Sequence, residues 1–356
     1  MKSTTPKPDL AARFRRVVTD AASDAALPTT REFAKRFGVA SATAYRLLQR
    51  MASEGDVWQH PVSGRFYPAA ARTLLDRPKA IACLIRRLEL DSEQYREILE
   101  GVSLGCGALH RTMLLWHDVL LVNHPEPHEA PVFATAVQQR AILKDFLARH
   151  GEAAGGFVLD HVWSDEVLRT QLDRLQPAVV LFRACTLPEL GNVRVDFRSG
   201  ALKALTHLLG RGYEHILPIE PFAGDPAVGE FFAALDRAVD DTGCRERLGK
   251  VVAAGTDRQR TAIIAGVQRS KRRTAILCPE DNVSTFMHAG LRQAGLTLPD
   301  QVGLLSVMGT DVATAAGITC LRYDFRELGR LAVEALQSPV PVRHTLDPQW
   351  VAGTTT

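Results

Sequence analysis

The sequence predicts a two-part α/β chain: a small N-terminal helical module closed by a β-ribbon, then a large doubly wound body. Three observations predict it. Residues 27–68 place helix caps and turn glycines at the spacing of two short helices joined by a turn. Beyond residue 79, short apolar runs alternate with amphipathic stretches of ten or more residues, the rhythm of a parallel sheet covered by helices. A length of 356 residues with 46% hydrophobic content exceeds one ordinary domain and supplies a sizeable core.

In the module, Thr29 and Glu32 have the spacing of a capping box, so hydroxyl and carboxylate can satisfy the free N–H groups that open a helix. That helix is expected to run to Phe37 and to stop at Gly38, which tolerates a left-handed turn. Ser41 is expected to cap a second helix with Ala44, Leu47, Leu48 and Met51 on its buried face. Its other face carries Ala42, Thr43, Tyr45, Arg46, Gln49 and Arg50, a polar and basic surface suited to a DNA major groove. Gly55 ends it. Val57-Trp58-Gln59 and Arg65-Phe66-Tyr67 then flank a hairpin tip, Pro61-Val62-Ser63-Gly64. Residues 1–78 hold thirteen Lys and Arg against seven Asp and Glu, net +6; with +3 for the whole chain, the remainder carries −3. A basic module on a mildly acidic body is the asymmetry expected when one part binds phosphates.

Residues 69–78, bracketed by Pro68 and Pro78, read as a linker, which sets the domains at 1–68 and 79–356. The body opens with the apolar run 80–85, read as a buried parallel strand, then a helix burying Tyr95, Ile98, Leu99 and Val102. Strands are expected at 112–116, 156–159, 178–182, 215–219, 274–278 and 302–307. Helices are expected at 137–149, 167–175, 200–209, 229–242 and 283–294.

Neither a Walker A sequence nor G-x-G-x-x-G occurs, so standard nucleotide sites are not indicated and no cofactor is expected. No apolar run reaches the roughly 18 residues of a membrane span and the N-terminus lacks a hydrophobic segment, so a cytoplasmic protein is expected. Cys83, Cys106, Cys185, Cys244, Cys278 and Cys320 are scattered without C-x-x-C and read as reduced, buried small hydrophobes rather than zinc ligands. His124 and His128 have metal-like spacing but sit in a proline-rich loop, so no metal site is expected. No Ser-His-Asp spacing, paired catalytic carboxylates or Schiff-base context points to an enzyme.

The module resembles the winged helix-turn-helix of the GntR family of bacterial transcription regulators. The matching residues are Leu27-Pro28-Thr29-Thr30-Arg31-Glu32-Phe33-Ala34 with Gly38-Val39, then Met51-Ala52-Ser53-Glu54-Gly55, then Ser63-Gly64-Arg65-Phe66. The resemblance implies that Arg31 touches a phosphate, that Arg46 and its neighbours Ser41, Ala42, Thr43, Tyr45, Gln49 and Arg50 enter the major groove, and that Ser63, Gly64 and Arg65 reach the minor groove. Where that family often opens its recognition helix with two arginines, Ser41 and Tyr45 stand here.

The body resembles, over about residues 79–339, the effector domain of LacI-type regulators, relatives of periplasmic sugar-binding proteins. Its most specific pieces are Val195-Asp196-Phe197-Arg198-Ser199-Gly200-Ala201, the run from His207 to Ile216, Cys278-Pro279-Glu280-Asp281, and Leu321-Arg322-Tyr323-Asp324-Phe325. The resemblance implies two lobes with a cleft for a small sugar-like effector and a homodimer that sets two heads on a two-fold operator. Ala227 stands where that family has a sugar-gripping arginine, Glu280-Asp281 replaces Asn-Asp, and Met308-Gly309 replaces an acidic pair unless Asp311 has shifted into its role.

Candidate pocket residues just beyond strand ends are Arg86, Asp91, Tyr95, His117, Asp160, Arg183, Phe222, Glu280, Asp281 and Asp311, each equally readable as a solvated loop residue. Arg86-Arg87 could bind an anionic group, and Trp116 and Trp163 read as core before they read as a sugar platform. The reading that follows is a dimeric transcription regulator, a repressor, controlled by a small molecule. The alternatives are a solute-binding sensor whose head contacts another protein, and a regulator whose body only dimerises.

Overall fold

Local capping decides where the first helices begin and end. The computed structural model describes residues 10–21, 26–59, 64–69, 80–86, 93–116, 120–122 and 132–356, and the chain falls into two compact units, Met1–Pro78 and Lys79–Thr356. In the first unit, Leu10–Thr19 packs over a turn-linked pair, Thr30–Phe37 and Ser41–Ser53. Thr29 and Glu32 form the reciprocal capping box, and Gly38 takes a left-handed φ of 67°. Ser41 is not the cap. Ala40 holds that position with its carbonyl accepting from Thr43 and Ala44, and Ser41 is the first helical residue, its hydroxyl making no capping bond. Strands β1 (Val57–Gln59) and β2 (Phe66–Pro68) pair antiparallel, Trp58 opposite Tyr67. The core of this unit is Phe14, Leu27, Phe33, Ala44, Leu48, Met51, Val57 and Phe66, with Leu47 only half-buried.

The second unit is two lobes. The first lobe's sheet is all parallel, in the order β15-β9-β8-β7-β3-β4, where β3 is Ala80–Leu84, β4 Thr112–Trp116, β7 Ala154–Leu159, β8 Ala178–Phe182, β9 Gly191–Val195 and β15 Arg343–Leu346. A short antiparallel pair, β5 (Leu121–Val122) and β6 (Val132–Phe133), lies beside it in sequence. The second lobe's sheet runs β11-β10-β12-β13-β14-β16: β10 is His215–Glu220, β11 Val252–Ala253, β12 Thr274–Cys278, β13 Val302–Gly309, β14 Thr319–Arg322 and β16 Gln349–Val351, and only β16 is antiparallel. The chain passes between lobes three times, after β9, after β14 and between β15 and β16.

Helices cover both faces of each sheet, as buried parallel strands require. In the first lobe Glu93–Ala108 and Phe325–Ala335 meet backbone to backbone: a methyl group on Gly101 would overlap the carbonyl of Arg326, and one on Gly329 the carbonyl of Ile98. In the second lobe Phe197–Gly210 packs with Pro226–Thr242 on one face, and Asp257–Arg269 with Asp281–Gln293 on the other. One apolar core runs through the inner faces of both lobes by way of Phe197, Tyr323 and Phe325 at the crossings.

The expected helix at 167–175 breaks in two. Ser164 caps an earlier start, and the Thr170 hydroxyl bonds back to the Val167 carbonyl where the first turn ends, leaving Asp165–Arg169 and a 3-10 turn at Leu172–Arg174. Strand β9 and helix Asp257–Arg269 were not anticipated; the helix carries a legible signal, a capping box of Thr256 and Gln259. In Glu93–Ala108 the buried stripe includes Glu97, while Leu99 is half-buried. All six cysteines are buried and unpaired. Among the described residues no helix is long and apolar enough to cross a membrane.

Candidate functional site

In the second unit, carboxyl ends of strands from both lobes converge, the position at which open α/β sheets present ligands. Arg86 follows β3 and Asp160-His161 follow β7 on the first lobe. Asp225 lies beyond β10 as the N-cap of Pro226–Thr242, accepting from the Ala227 and Val228 amides at 2.8 and 3.1 Å, with Pro226 at the first helical position.

These four side chains form an ion network across the lobes. Asp160 accepts from the Arg86 amide and the Tyr95 hydroxyl, both at 2.8 Å, and from the Val162 amide at 3.1 Å. His161 is held between two carboxylates, its Nδ1 2.9 Å from Asp160 and its Nε2 3.2 Å from Asp225. Arg86 Nη1 lies 3.5 Å from Asp225, while the guanidinium sits over the rings of Tyr95 at 4.7 Å and Phe222 at 5.6 Å. The side chains of Arg86, His161 and Asp225 are only 11, 4 and 6% exposed. Burial opposes every one of these charges, yet the neighbours prevail. The carboxylates of Asp225 and Asp160 raise His161 to about 9. Against the same burial, His161 and then Arg86 hold Asp160 and Asp225 below the usual carboxylate range. Glu280 goes the other way, its carboxyl raised by burial.

The remaining cavity, lined by Arg86, His161, Phe222, Asp225, Glu280 and Met308 among others, is about 20 Å³, room for one water. Ala227, Glu280 and Met308, the three sequence departures, all line it.

Of the candidate pocket residues, Arg86, Phe222 and Glu280 line the cavity, and Tyr95 and Asp160 stand behind Arg86. Glu280 also caps its helix, accepting from Asn282 and Val283. The other three are taken up elsewhere. Arg183 bonds the carbonyls of His161, Trp163 and Ala184 and the Asp165 carboxylate, so it ties loops of the first lobe together. Asp281 accepts from Ser306 and from the Thr310 amide and hydroxyl. Asp311 is exposed and paired with Arg322, so it has not moved into the cleft. Trp163 is core, donating to the Leu84 carbonyl, and Trp116 packs on Phe146 and His150. Asp91 and His117, like Arg87, His124 and His128, lie outside the described residues. Sequence reasoning missed His161 and Asp225; the Asp-Pro signature of a helix start could have found Asp225.

In the first unit, Ser41, Ala42, Tyr45, Arg46 and Arg50 form an exposed face on Ser41–Ser53, with Thr43 and Gln49 half-exposed. Arg31, Gly64 and Arg65 are exposed, and Ser63, with Pro61 and Val62, lies outside the described residues. Gln49 donates to the Tyr45 hydroxyl at 2.9 Å and to Gln59 Oε1 at 2.8 Å, and Gln59 donates to the Gly64 carbonyl at 2.9 Å. A chain of amides thus joins the helix to the ribbon. All but Ala69 of the expected linker at 69–78 is outside the described residues.

Residues 205–356 match the family model of a periplasmic binding protein-like domain. The body has the periplasmic-binding-protein-like fold. It is similar to a LacI transcriptional regulator from a Rhodococcus species, at 20% identity and a TM-score of 0.62, over 78% of this chain and 98% of that one. A LacI family regulator from Enterococcus faecium with bound ribose aligns at 16% and 0.63, again over 78% and 98%. One from Weissella paramesenteroides with bound glucose aligns at 12% and 0.61, over 78% and 98%. At these identities the likeness is one of fold. No curated protein matches the sequence.

Proposed function

We propose that this chain is a sequence-specific DNA-binding transcription regulator, a repressor acting in the cytoplasm, whose periplasmic-binding-protein-like body takes a small-molecule effector between its lobes. The carrying observation is the pairing, in one chain, of a turn-linked helix pair and ribbon with a two-lobed body of this fold. The exposed basic face of Ser41–Ser53 and the Gly64-Arg65 edge support a GntR-type winged head, with Arg31 on a phosphate, the helix in the major groove and the ribbon in the minor groove. Similar folds crystallised with ribose and glucose support a sugar-like effector. A homodimer would present two heads to a two-fold operator.

Gel-shift of the purified full chain with genomic fragments, repeated at rising salt, tests this. Specific binding that weakens linearly in log salt is expected; its absence at all salt concentrations removes the regulator reading and favours a sensor whose head contacts protein. A second reading has its own observation. The closed, internally charge-balanced cleft favours a body that serves only to dimerise. Sedimentation and a thermal-shift panel separate the two, since a dimer indifferent to every ligand supports the platform alone.

A further inference from the structure

The cleft's charges say what kind of ligand could enter it, on the reading that the body binds an effector. Its acceptors are mostly taken. Asp160 takes three donors, Asp225 holds two helix amides, and Glu280 holds two more. The donor side is not full: Arg86 Nη1 is buried without a hydrogen bond, facing Asp225 at a distance too long for one. A neutral sugar that pushed Asp225 aside would leave Arg86 Nη1 and His161 Nε2 facing no carboxylate, with Asp160 alone to balance two buried cations, the costly way to break a buried pair. A cation would meet acceptors already occupied. An acceptor-rich anion replaces what it removes.

We propose that the cleft is a seat for a small oxyanion, a carboxylate or a phosphate monoester borne by the effector, and that in the closed form Asp225 occupies this seat. The ligand's oxygens displace Asp225 from Arg86 and His161, and because Asp225 belongs to the second lobe, its displacement parts the lobes. Tyr95 and Phe222 flank the guanidinium, and Tyr95, on the first lobe, keeps it in place when Asp225 leaves.

The test uses the full chain. Asp225→Ala vacates the seat and is expected to lower the melting temperature; Asp225→Asn, which keeps the helix cap, serves where the alanine variant does not fold. Sodium acetate or sodium phosphate is expected to restore about 2 °C or more beyond sodium chloride at equal ionic strength, and adding Arg86→Ala to abolish that gain. With the unaltered protein, titration calorimetry is run with glucose, gluconate and glucose 6-phosphate. Gluconate alone binding identifies a carboxylate ligand, glucose 6-phosphate alone a phosphate ligand, and either should weaken at least tenfold in Arg86→Ala. Acetate and phosphate no better than chloride, glucose binding as well as its charged analogues, or binding indifferent to Arg86 each overturns the seat. DNA binding is measured separately, so loss of the regulator reading leaves the anion result standing on its own.

Discussion

Asp225 does two jobs with one carboxylate: it caps Pro226–Thr242 and is the second lobe's contribution to the clasp around His161. The imidazole between Asp160 and Asp225 gives the clasp a pH limit. Its folded-state value is raised from 6.5 to about 9, so its stabilisation is complete below the ordinary value and is lost as pH rises through about 9. Melting temperature is therefore expected to fall between pH 7 and pH 10, and His161→Gln to start lower and lose the part of that slope due to this group; equal slopes in the two proteins would remove His161 from the clasp. In the head, residues are expected to divide by role. Arg31→Ala should weaken binding to all sequences alike and reduce the salt slope by about one, whereas Arg46→Ala should cost about 1–3 kcal/mol and relax discrimination at one position. Gln59 touches no DNA in this scheme. Gln59→Ala should leave the melting temperature of the head unchanged and weaken protection of the minor groove in hydroxyl-radical footprints, because it unties Gly64 from Gln49.

Among the elements, the tightest fit is between Glu93–Ala108 and Phe325–Ala335. Gly101 and Gly329 have no room for a methyl group against the opposing backbone, and a methyl on Gly105 would come within 2.8 Å of Val333 Cβ. Backbone cannot give way as a side-chain tip can, so Gly101→Ala is expected to cost about 3 kcal/mol, read by urea unfolding. Gly107→Ala, which meets open space, should cost nothing and serves as the control. The sequence marked these helices by their apolar stripes, but the demand for glycine comes from a partner more than two hundred residues away. Residues 27–59 were legible for the opposite reason. Capping box, turn glycine and the buried i, i+3, i+4 stripe act within a few residues of each other. Ser41 misled because a serine before an apolar stripe looks like a cap, whereas the helix begins one residue earlier on the Ala40 carbonyl.

Across the whole second unit, the alternation of apolar runs and helices was enough to read a doubly wound body, since buried parallel strands are written as continuous apolar segments. The clasp was not legible. Arg86, Asp160, His161 and Asp225 are separated by as many as 139 positions, and only the paired strand ends bring them together. Residue type at a strand end likewise could not say that Arg183 and Asp281 are consumed by neighbouring loops. Because the clasp spans both lobes, Asp225→Asn is expected to speed amide exchange in concert around Arg86, Tyr95 and the first turn of Pro226–Thr242, while the glycine-seated helices stay protected. Acceleration confined to one lobe would mean that the clasp does not hold the two together. The same glycine seat gives the first lobe a lever. With no compressible layer between them, Glu93–Ala108 and Phe325–Ala335 are expected to move as one beam. One end carries Gln94 and Tyr95 at the cleft, and the far half of the beam, which is about 24 Å long, bears Leu104, Leu109 and Arg330 around an apolar groove. A tilt of about 5° at the cleft end would sweep the far end through about 2 Å, so a small loss of grip on one carboxylate would reach the opposite end of the lobe magnified.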